Sequence, residues 1–346
     1  LTASPIPIRN LYHLYCYAWN RFEEARAIST GAEDSPDLPN LLARVLAEGT
    51  RSLLRRGLDR GYLPREEELA TIRGSVELGP TLRLYARNGR RVTCNYDELS
   101  HDLLHNQLLK ASLGRLANVA TLDPGLAQEL LRLRERMPDV VDVRLSAAAF
   151  ARVQLHRNNA RYDLLLKVCE LALACMMPTT NGSGYAFRDV LRDEREMARV
   201  FEEFVRNFYR LRQRAFRVRS YQLEWQAVPL ETNGVGRLPA MRTDVYLESA
   251  DRRIIMDTKY YADALQQYRG SRSFRSDNLY QLFAYLRNDA VAEPTAPLAE
   301  GVLLYPQAQH ELDATYAVHG HRVRLATVDL SKPWSLVEER LLELLN

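Results

Sequence analysis

The sequence predicts an α/β protein in two parts. A C-terminal domain with a mixed sheet flanked by helices follows a mostly helical domain that carries a β-rich insertion. Three observations predict this. Residues 186–346 run helix, strands, helix, strands, helix, the order of a layered α/β domain. Residues 1–185 are dominated by helical apolar periodicity, broken at 62–98 by short β-type runs. The stretch PTTNGSGYAF, 178–187, gathers Pro, Asn, Gly and Ser at the junction. The expected domains are therefore 1–185 and 186–346.

In the first domain, residues 10–22 (NLYHLYCYAWNRF) read as a buried or docking helix, with His13 a structural histidine. A second helix over 38–56 presents Leu41, Leu42, Val45 and Leu46 on one face and stops at Gly57. Within 62–98, the pair Asn88-Gly89 between TLRLYAR and RRVTCNY predicts a β-hairpin. Such an element among helices reads as a projection. The run Glu66-Glu67-Glu68 is a solvated face. Helices follow at 102–117 and 125–137, the latter ended by Pro138, and an apolar helix covers 162–177. In the second domain a helix over 189–214 carries the stripe Val200, Phe201, Phe204, Val205 and Phe208. Strands are expected at 221–228, 241–247 and 253–259, then a helix at 277–286. Strands at 301–305, 314–318 and 322–328 and a closing helix at 334–345 complete the domain.

Composition narrows the class. A hydrophobic fraction of 46%, a charged fraction of 26% and a net charge of +3 describe an ordinary soluble protein and give little global pull on nucleic acid. Cys16, Cys94, Cys169 and Cys175 lack metal-site spacing, and Cys169 and Cys175 fall in an apolar helix as core thiols. No apolar run reaches the roughly 18 residues of a membrane span. The start, LTASPIPIRN, lacks a signal-peptide core. A cytoplasmic protein with no membrane association is expected.

The chemistry concentrates in LPAMRTDVYLESADRRIIMDTKY, 238–260. Residues two apart share a face of a strand, so Asp257 and Lys259 point the same way. A turn centred between Ala250 and Asp251 sets Asp244 opposite Asp257, Glu248 opposite Arg253 and Tyr246 opposite Ile255. Slipping the register by one residue would send Asp244 to the other side. Adjacent carboxylates repel, and a divalent cation removes that cost. Mg²⁺ prefers oxygen ligands, which Asp244, Asp257 and the backbone carbonyl of Thr258 can supply. A bound cation there would polarise a phosphate and activate water, with Lys259 orienting that water or stabilising developing negative charge.

Beyond this stretch, Gln281 and Tyr285 in NLYQLFAYL share one helix face at i, i+4 spacing. This Q-x-x-x-Y pattern after D-x-K is similar to the helix motif of RecB-like nucleases. Between them, QQYRGSRSFRSDN interleaves Arg269, Arg272 and Arg275 with Tyr268 and Phe274, a pattern suited to neutralising phosphates and stacking on bases. Glu196, Glu202 and Glu203 are candidates for an upstream acid, and periodicity does not choose between them. Arg206, Arg210, Arg212, Arg214 and Arg217 read mainly as a solvated helix face.

Taken together, IPIRNLYHLYCYAWNRF, YDELSHDLLHNQLLK, LPAMRTDVYL, IIMDTKYY and NLYQLFAYL resemble the McrC family over nearly the whole chain. These are nuclease subunits of McrBC modification-dependent restriction systems, with a core of the PD-(D/E)xK superfamily. Where that motif has proline, this chain has Thr243. The resemblance implies that Asp244 and Asp257 bind the metal, that Lys259 is the catalytic lysine, and that Gln281 and Tyr285 support them. It also implies a partner, an McrB-like AAA+ GTPase hexamer that reads modified cytosine in double-stranded DNA. In the resemblance the N-terminal half of the chain inserts into the ring and stimulates GTP hydrolysis. The projection at 62–98 is the candidate inserting element. No G-x-x-x-x-G-K-[ST] occurs in the chain, so GTP is expected on the partner and not here. Two other readings remain: a GTPase-activating adaptor with an inactive nuclease centre, and a non-enzymatic DNA-binding module.

Overall fold

The computed structural model describes residues 6–27, 35–87, 89–179, 184–188, 193–228, 230, 238–260, 265–268, 271–274, 276–307 and 311–346. The chain forms two compact units. One comprises Leu1–Ala27 with Asp189–Asn346, the other Ile28–Arg188. This differs from the expected division into 1–185 and 186–346, because the first 27 residues pack with the C-terminal unit. The reason is a long-range contact. Helix Ile8–Ala18 buries Leu11, Leu14, Tyr15 and Tyr17 and packs along helix Glu194–Arg212. Tyr17 stacks on Phe22 at 4.1 Å between ring centroids and meets Phe204, Phe208 and Trp334 within 5.8 Å. The Tyr17 hydroxyl donates to Glu338 at 2.9 Å. Asn207 donates to the carbonyls of Tyr17 and Ala18, both at 3.0 Å, beside the Asn20 N–H that also reaches Tyr17, at a helix end where carbonyls lack intrahelical partners.

The C-terminal unit is built on a six-stranded mixed sheet. Its order is Asp313–Val318, His321–Val328, Glu300–Pro306, Arg253–Thr258, Val245–Glu248, Arg217–Arg219. The three strands His321–Val328, Glu300–Pro306 and Arg253–Thr258 run parallel, and the flanking pairs are antiparallel. Helix Ser276–Ala292 makes the crossover from Arg253–Thr258 to Glu300–Pro306, as parallel strands require. It buries Leu282, Tyr285 and Leu286 against Tyr246, Ile255, Leu303 and Tyr305. Gly301 permits that approach, since a Cβ there would lie 2.9 Å from Leu286. Every residue of Arg253–Thr258 is buried, the mark of a central strand covered on both faces. Helix Glu194–Arg212 also packs on this sheet.

The second unit is helical. Helix Leu38–Arg56 starts on an Asp37 cap that accepts the Asn40 N–H at 3.0 Å and ends at Gly57, with φ 88°. Helices Leu104–Leu116, Pro124–Glu135 and Tyr162–Cys175 pack with it. Cys16, Cys94, Cys169 and Cys175 are all buried and form no disulfide.

The insertion is a three-stranded antiparallel sheet in the order Gly61–Leu69, Val92–Ser100, Ser75–Val76. The hairpin expected around Asn88-Gly89 does not form: residues Leu78–Ala86 are a helix, and Asn88 lies outside the described residues. Strand Val92–Ser100 is already bonded on both edges, by Gly61–Leu69 and by Ser75–Val76. Ser75–Val76 takes the edge at Cys94 and Asn95, where a hairpin from TLRLYAR would pair. Pro80 sits in its first turn, where a helix tolerates it. The buried Thr81 hydroxyl accepts the Thr93 N–H at 3.0 Å, tying the helix to the sheet. This leaves Leu78 (71% exposed), Leu82 (66%) and Tyr85 (55%) facing solvent.

Among the described residues no helix is long and apolar enough to cross a membrane. Replacing Asn207 with alanine takes the side-chain donor from the Ala18 carbonyl and leaves the Tyr17 carbonyl with the Asn20 N–H alone. The variant should lose about 1–3 kcal/mol in urea unfolding followed by tryptophan fluorescence, with secondary structure retained by circular dichroism.

Candidate active site

The centre forms where strand Val245–Glu248 begins and its antiparallel neighbour Arg253–Thr258 ends. The strand expected over 241–247 is broken. Met241–Arg242 pairs with Gln222–Leu223, whereas Val245–Glu248 joins the main sheet. Thr243 sits at the break, fully buried, its N–H donated to Tyr221 at 2.9 Å and its hydroxyl accepting the Tyr221 N–H at 3.1 Å. A proline at this position would lack the first of these bonds.

Arg253 pairs with Glu248, Ile255 with Tyr246 and Met256 with Val245, the register the sequence predicts. Its continuation sets Asp244 beside Asp257. The Asp244 Oδ2 accepts the Thr258 N–H at 2.7 Å and the Thr258 hydroxyl at 2.8 Å. The Lys259 N–H turns the other way, to the Leu304 carbonyl at 2.9 Å. Asp257 is 0% exposed. Lys259 Nζ lies 2.8 Å from Asp257 Oδ2, while Asp257 Oδ1 has no hydrogen-bond donor.

The electrostatics follow from that burial. Desolvation first, and the Asp244 charge second, push the Asp257 carboxyl up to about 7, against the pull of Lys259. Asp244 is also raised, by burial first and by Glu202 second. A buried carboxylate with an unpartnered oxygen is costly unless it is neutralised or takes a cation. Among the described residues no group of three or more His, Cys, Asp or Glu side chains is arranged to hold an ion. The two carboxylates offer oxygen donors. That suits a hard cation such as Mg²⁺, which commonly keeps several waters and takes only one or two protein carboxylates.

Gln281 and Tyr285 meet the same centre. Lys259 donates to Gln281 Oε1 at 3.0 Å, Gln281 Nε2 donates to the Tyr285 hydroxyl at 2.7 Å, and that hydroxyl donates to the Arg242 carbonyl at 3.1 Å. The chain of bonds fixes the lysine's position from helix Ser276–Ala292.

Of the three upstream acids, Glu202 is the one whose charge acts on both aspartates. Glu196 and Glu203 face Arg199, at 2.8 and 3.6 Å. Arg206, expected on a solvated face, is buried. It donates to Glu202 at 2.7 Å and to the Asp244 carbonyl at 3.1 Å. Spacing had marked it only as one basic residue among several; Glu202 at i−4 was the available signal. Arg269 and Arg275 lie outside the described residues. Arg272 falls in strand Ser271–Phe274, opposite Gln267.

A raised carboxyl favours the protonated folded state. Its contribution to stability is fully present below the ordinary value of 3.8 and is lost as pH rises through about 7. Metal-free protein should therefore melt at lower temperature at pH 8 than at pH 6. Asp257→Asn should melt a few degrees above the wild type at pH 8, and this part of the pH dependence should vanish. Scanning calorimetry in EDTA reads both.

The chain has relatives among known proteins. Residues 9–306 match a family described as "McrBC 5-methylcytosine restriction system component". The chain is 28% identical over 341 residues to the Escherichia coli (strain K12) protein "Type IV methyl-directed restriction enzyme EcoKMcrBC", covering 99% of this chain and 97% of that one. Its fold is similar, at a TM-score of 0.62 and 17% identity, to a solved chain from the tetradecameric assembly of Thermococcus gammatolerans McrB AAA+ hexamers with bound McrC. The match covers 98% of this chain and 76% of that one. With the family matched across most of its length, this chain belongs to the McrBC 5-methylcytosine restriction system components.

Proposed function

We propose that this chain is the DNA-cutting subunit of a modification-dependent restriction complex. In this reading it is a PD-(D/E)xK endonuclease that depends on Mg²⁺ and on an McrB-like AAA+ GTPase hexamer. The observation that carries the proposal is the half-buried Asp244 beside the buried Asp257, with Lys259 at 2.8 Å from Asp257 and an undonated Asp257 Oδ1.

Asp244, Asp257 and the Thr258 carbonyl would hold the cation. When bound, the cation polarises the scissile phosphate and activates a water for attack. Thr258 fixes the Asp244 carboxylate through its amide and hydroxyl. Arg206 anchors the Asp244 main chain. Lys259, held by Gln281, orients the attacking water or stabilises negative charge developing on the phosphate. Arg269, Arg272 and Arg275 are proposed to contact the DNA backbone beside this centre. The substrate in this reading is double-stranded DNA containing modified cytosine, and the setting is the cytoplasm. GTP binds the partner.

The partner contact is assigned to the insertion at 62–98, with the helix Leu78–Ala86 replacing the expected hairpin as its apolar tip. Its exposed Leu78, Leu82 and Tyr85 recur at i, i+4 and i+7, one side of a helix. A solvated surface gives no reason for such a stripe, and a protein groove does.

The test is reconstitution with the GTPase. Asp257→Ala should lose cleavage of methylated DNA by at least about a hundredfold, while GTP hydrolysis by the partner stays stimulated. An adaptor would show no cleavage before or after the substitution. A plain DNA-binding module would cleave in no preparation and bind with steep salt dependence. Leu82→Asp should have the reverse effect of Asp257→Ala: GTPase stimulation should fall about tenfold or more, with metal binding at the nuclease centre unchanged by calorimetry.

A further inference from the structure

The helical unit has a second charged feature that the nuclease reading does not use. A cavity of about 350 Å³ opens between helix Leu104–Leu116, helix Pro124–Glu135, the segment 142–145 and Tyr185. Arg115, Arg134 and Arg144 line it against one carboxylate, Asp142. Arg134 pairs with Asp142 at 2.5 Å. Among the described residues no carboxylate lies within ion-pair distance of Arg115 or Arg144, so the lining carries two uncompensated positive charges.

The cavity is built. Arg115 lies over the Tyr185 ring, 4.5 Å from its centroid, which holds the guanidinium plane and leaves its edge for a ligand. Arg115 Nε is buried without a hydrogen-bond acceptor. Tyr185 is fixed by its main chain, its N–H donating to the Asn118 carbonyl and its carbonyl accepting from Ala120, both at 3.1 Å. The Asn118 side chain in turn donates to the Gly114 carbonyl at 2.7 Å. Gly114 makes room for Arg134: a Cβ there would lie 3.0 Å from both its Cδ and its Nε.

We propose that this cavity is a phosphate-ester site separate from the nuclease centre, taking either the backbone of DNA or the phosphates of a free nucleotide. Guanidinium edges bind phosphate oxygens in pairs and remain charged at every working pH. The volume is at the small end of ligand sites and fits one or two phosphates with a sugar, not a large organic molecule. The site does not depend on whether the aspartate pair cuts DNA.

The experiment uses the full chain in EDTA, so that nothing is cleaved. Binding is measured for a short labelled duplex by anisotropy, for GTP by calorimetry, and for inorganic phosphate by thermal shift. Arg115→Gln/Arg144→Gln should weaken at least one of these about tenfold or more. If DNA is the ligand, the slope of log affinity against log salt should fall by about 1.8, the value for two lost phosphate contacts. Loss for the duplex alone identifies the backbone as ligand, and loss for GTP identifies a nucleotide. Arg144→Gln alone changes an exposed side chain and should show part of the effect without a folding defect. Gly114→Ala should weaken binding with no charge removed. Arg132→Gln, on the same helix as Arg134 but outside the cavity, should change nothing. No binding of any probe by the wild type overturns the proposal. So does unchanged affinity in the double variant, or an affinity found only for acidic peptides.

Discussion

Two carboxylates side by side, Asp257 buried at the end of a central strand and Asp244 half-buried before the next, set the terms for the C-terminal unit. Water is excluded from Asp257, and Asp244 adds like charge beside it. Each neighbouring group answers that cost in one of three ways. Lys259 offsets charge directly. The amide and hydroxyl of Thr258 hold Asp244 as an acceptor. Arg206 anchors the main chain that presents Asp244. None of them donates to Asp257 Oδ1. The open oxygen is where the proposed cation would bind, and without it the acid pair costs the fold stability.

The helical unit works on a different principle. Its core is closed, with caps at Asp37, Asp123 and Ser146 and apolar helix faces turned inward. Its distinctive chemistry is at the surface, where the insertion shows an apolar helix side and the body shows an arginine-lined cavity. Strand Val92–Ser100 links the two, running from the insertion toward helix Leu104–Leu116. At the base of the insertion, the Asp59 carbonyl accepts from Asn106 at 3.0 Å, and the Asp59 N–H donates to the Tyr162 hydroxyl, also at 3.0 Å. The insertion is thus rooted in two body helices by buried polar bonds.

What the sequence showed was local. The pairing of Asp244 with Asp257 could be read because a strand's period of two and the Glu248–Arg253 and Tyr246–Ile255 pairs agree on one register. Gln281 and Tyr285 could be read because i, i+4 residues share a helix face. Whether that face met the lysine was settled by the crossover helix lying over its own strand. What was hidden was non-local. TLRLYAR has strand-like composition, and the pairing of Ser75–Val76 with Cys94 and Asn95 takes the edge it would need. Glu202 stands out from Glu196 and Glu203 only through the rotation of its helix against the site. Arg206 looks like any basic residue until its burial is seen. Periodicity could not show that residues 8–18 belong with a helix almost two hundred positions later.

That last feature has a consequence for synthesis. The helical unit interrupts the α/β unit in the chain, so helix Ile8–Ala18 leaves the ribosome well before its partner Glu194–Arg212 exists. Its apolar side must stay shielded while residues 28–188 fold on their own contacts, and contacts of such long separation form late. The acid pair therefore cannot be completed while the body that carries the insertion is still being made. A chain broken off in synthesis before residue 244 carries the apolar insertion helix without the two aspartates, so the order of residues alone places the acid pair behind the insertion.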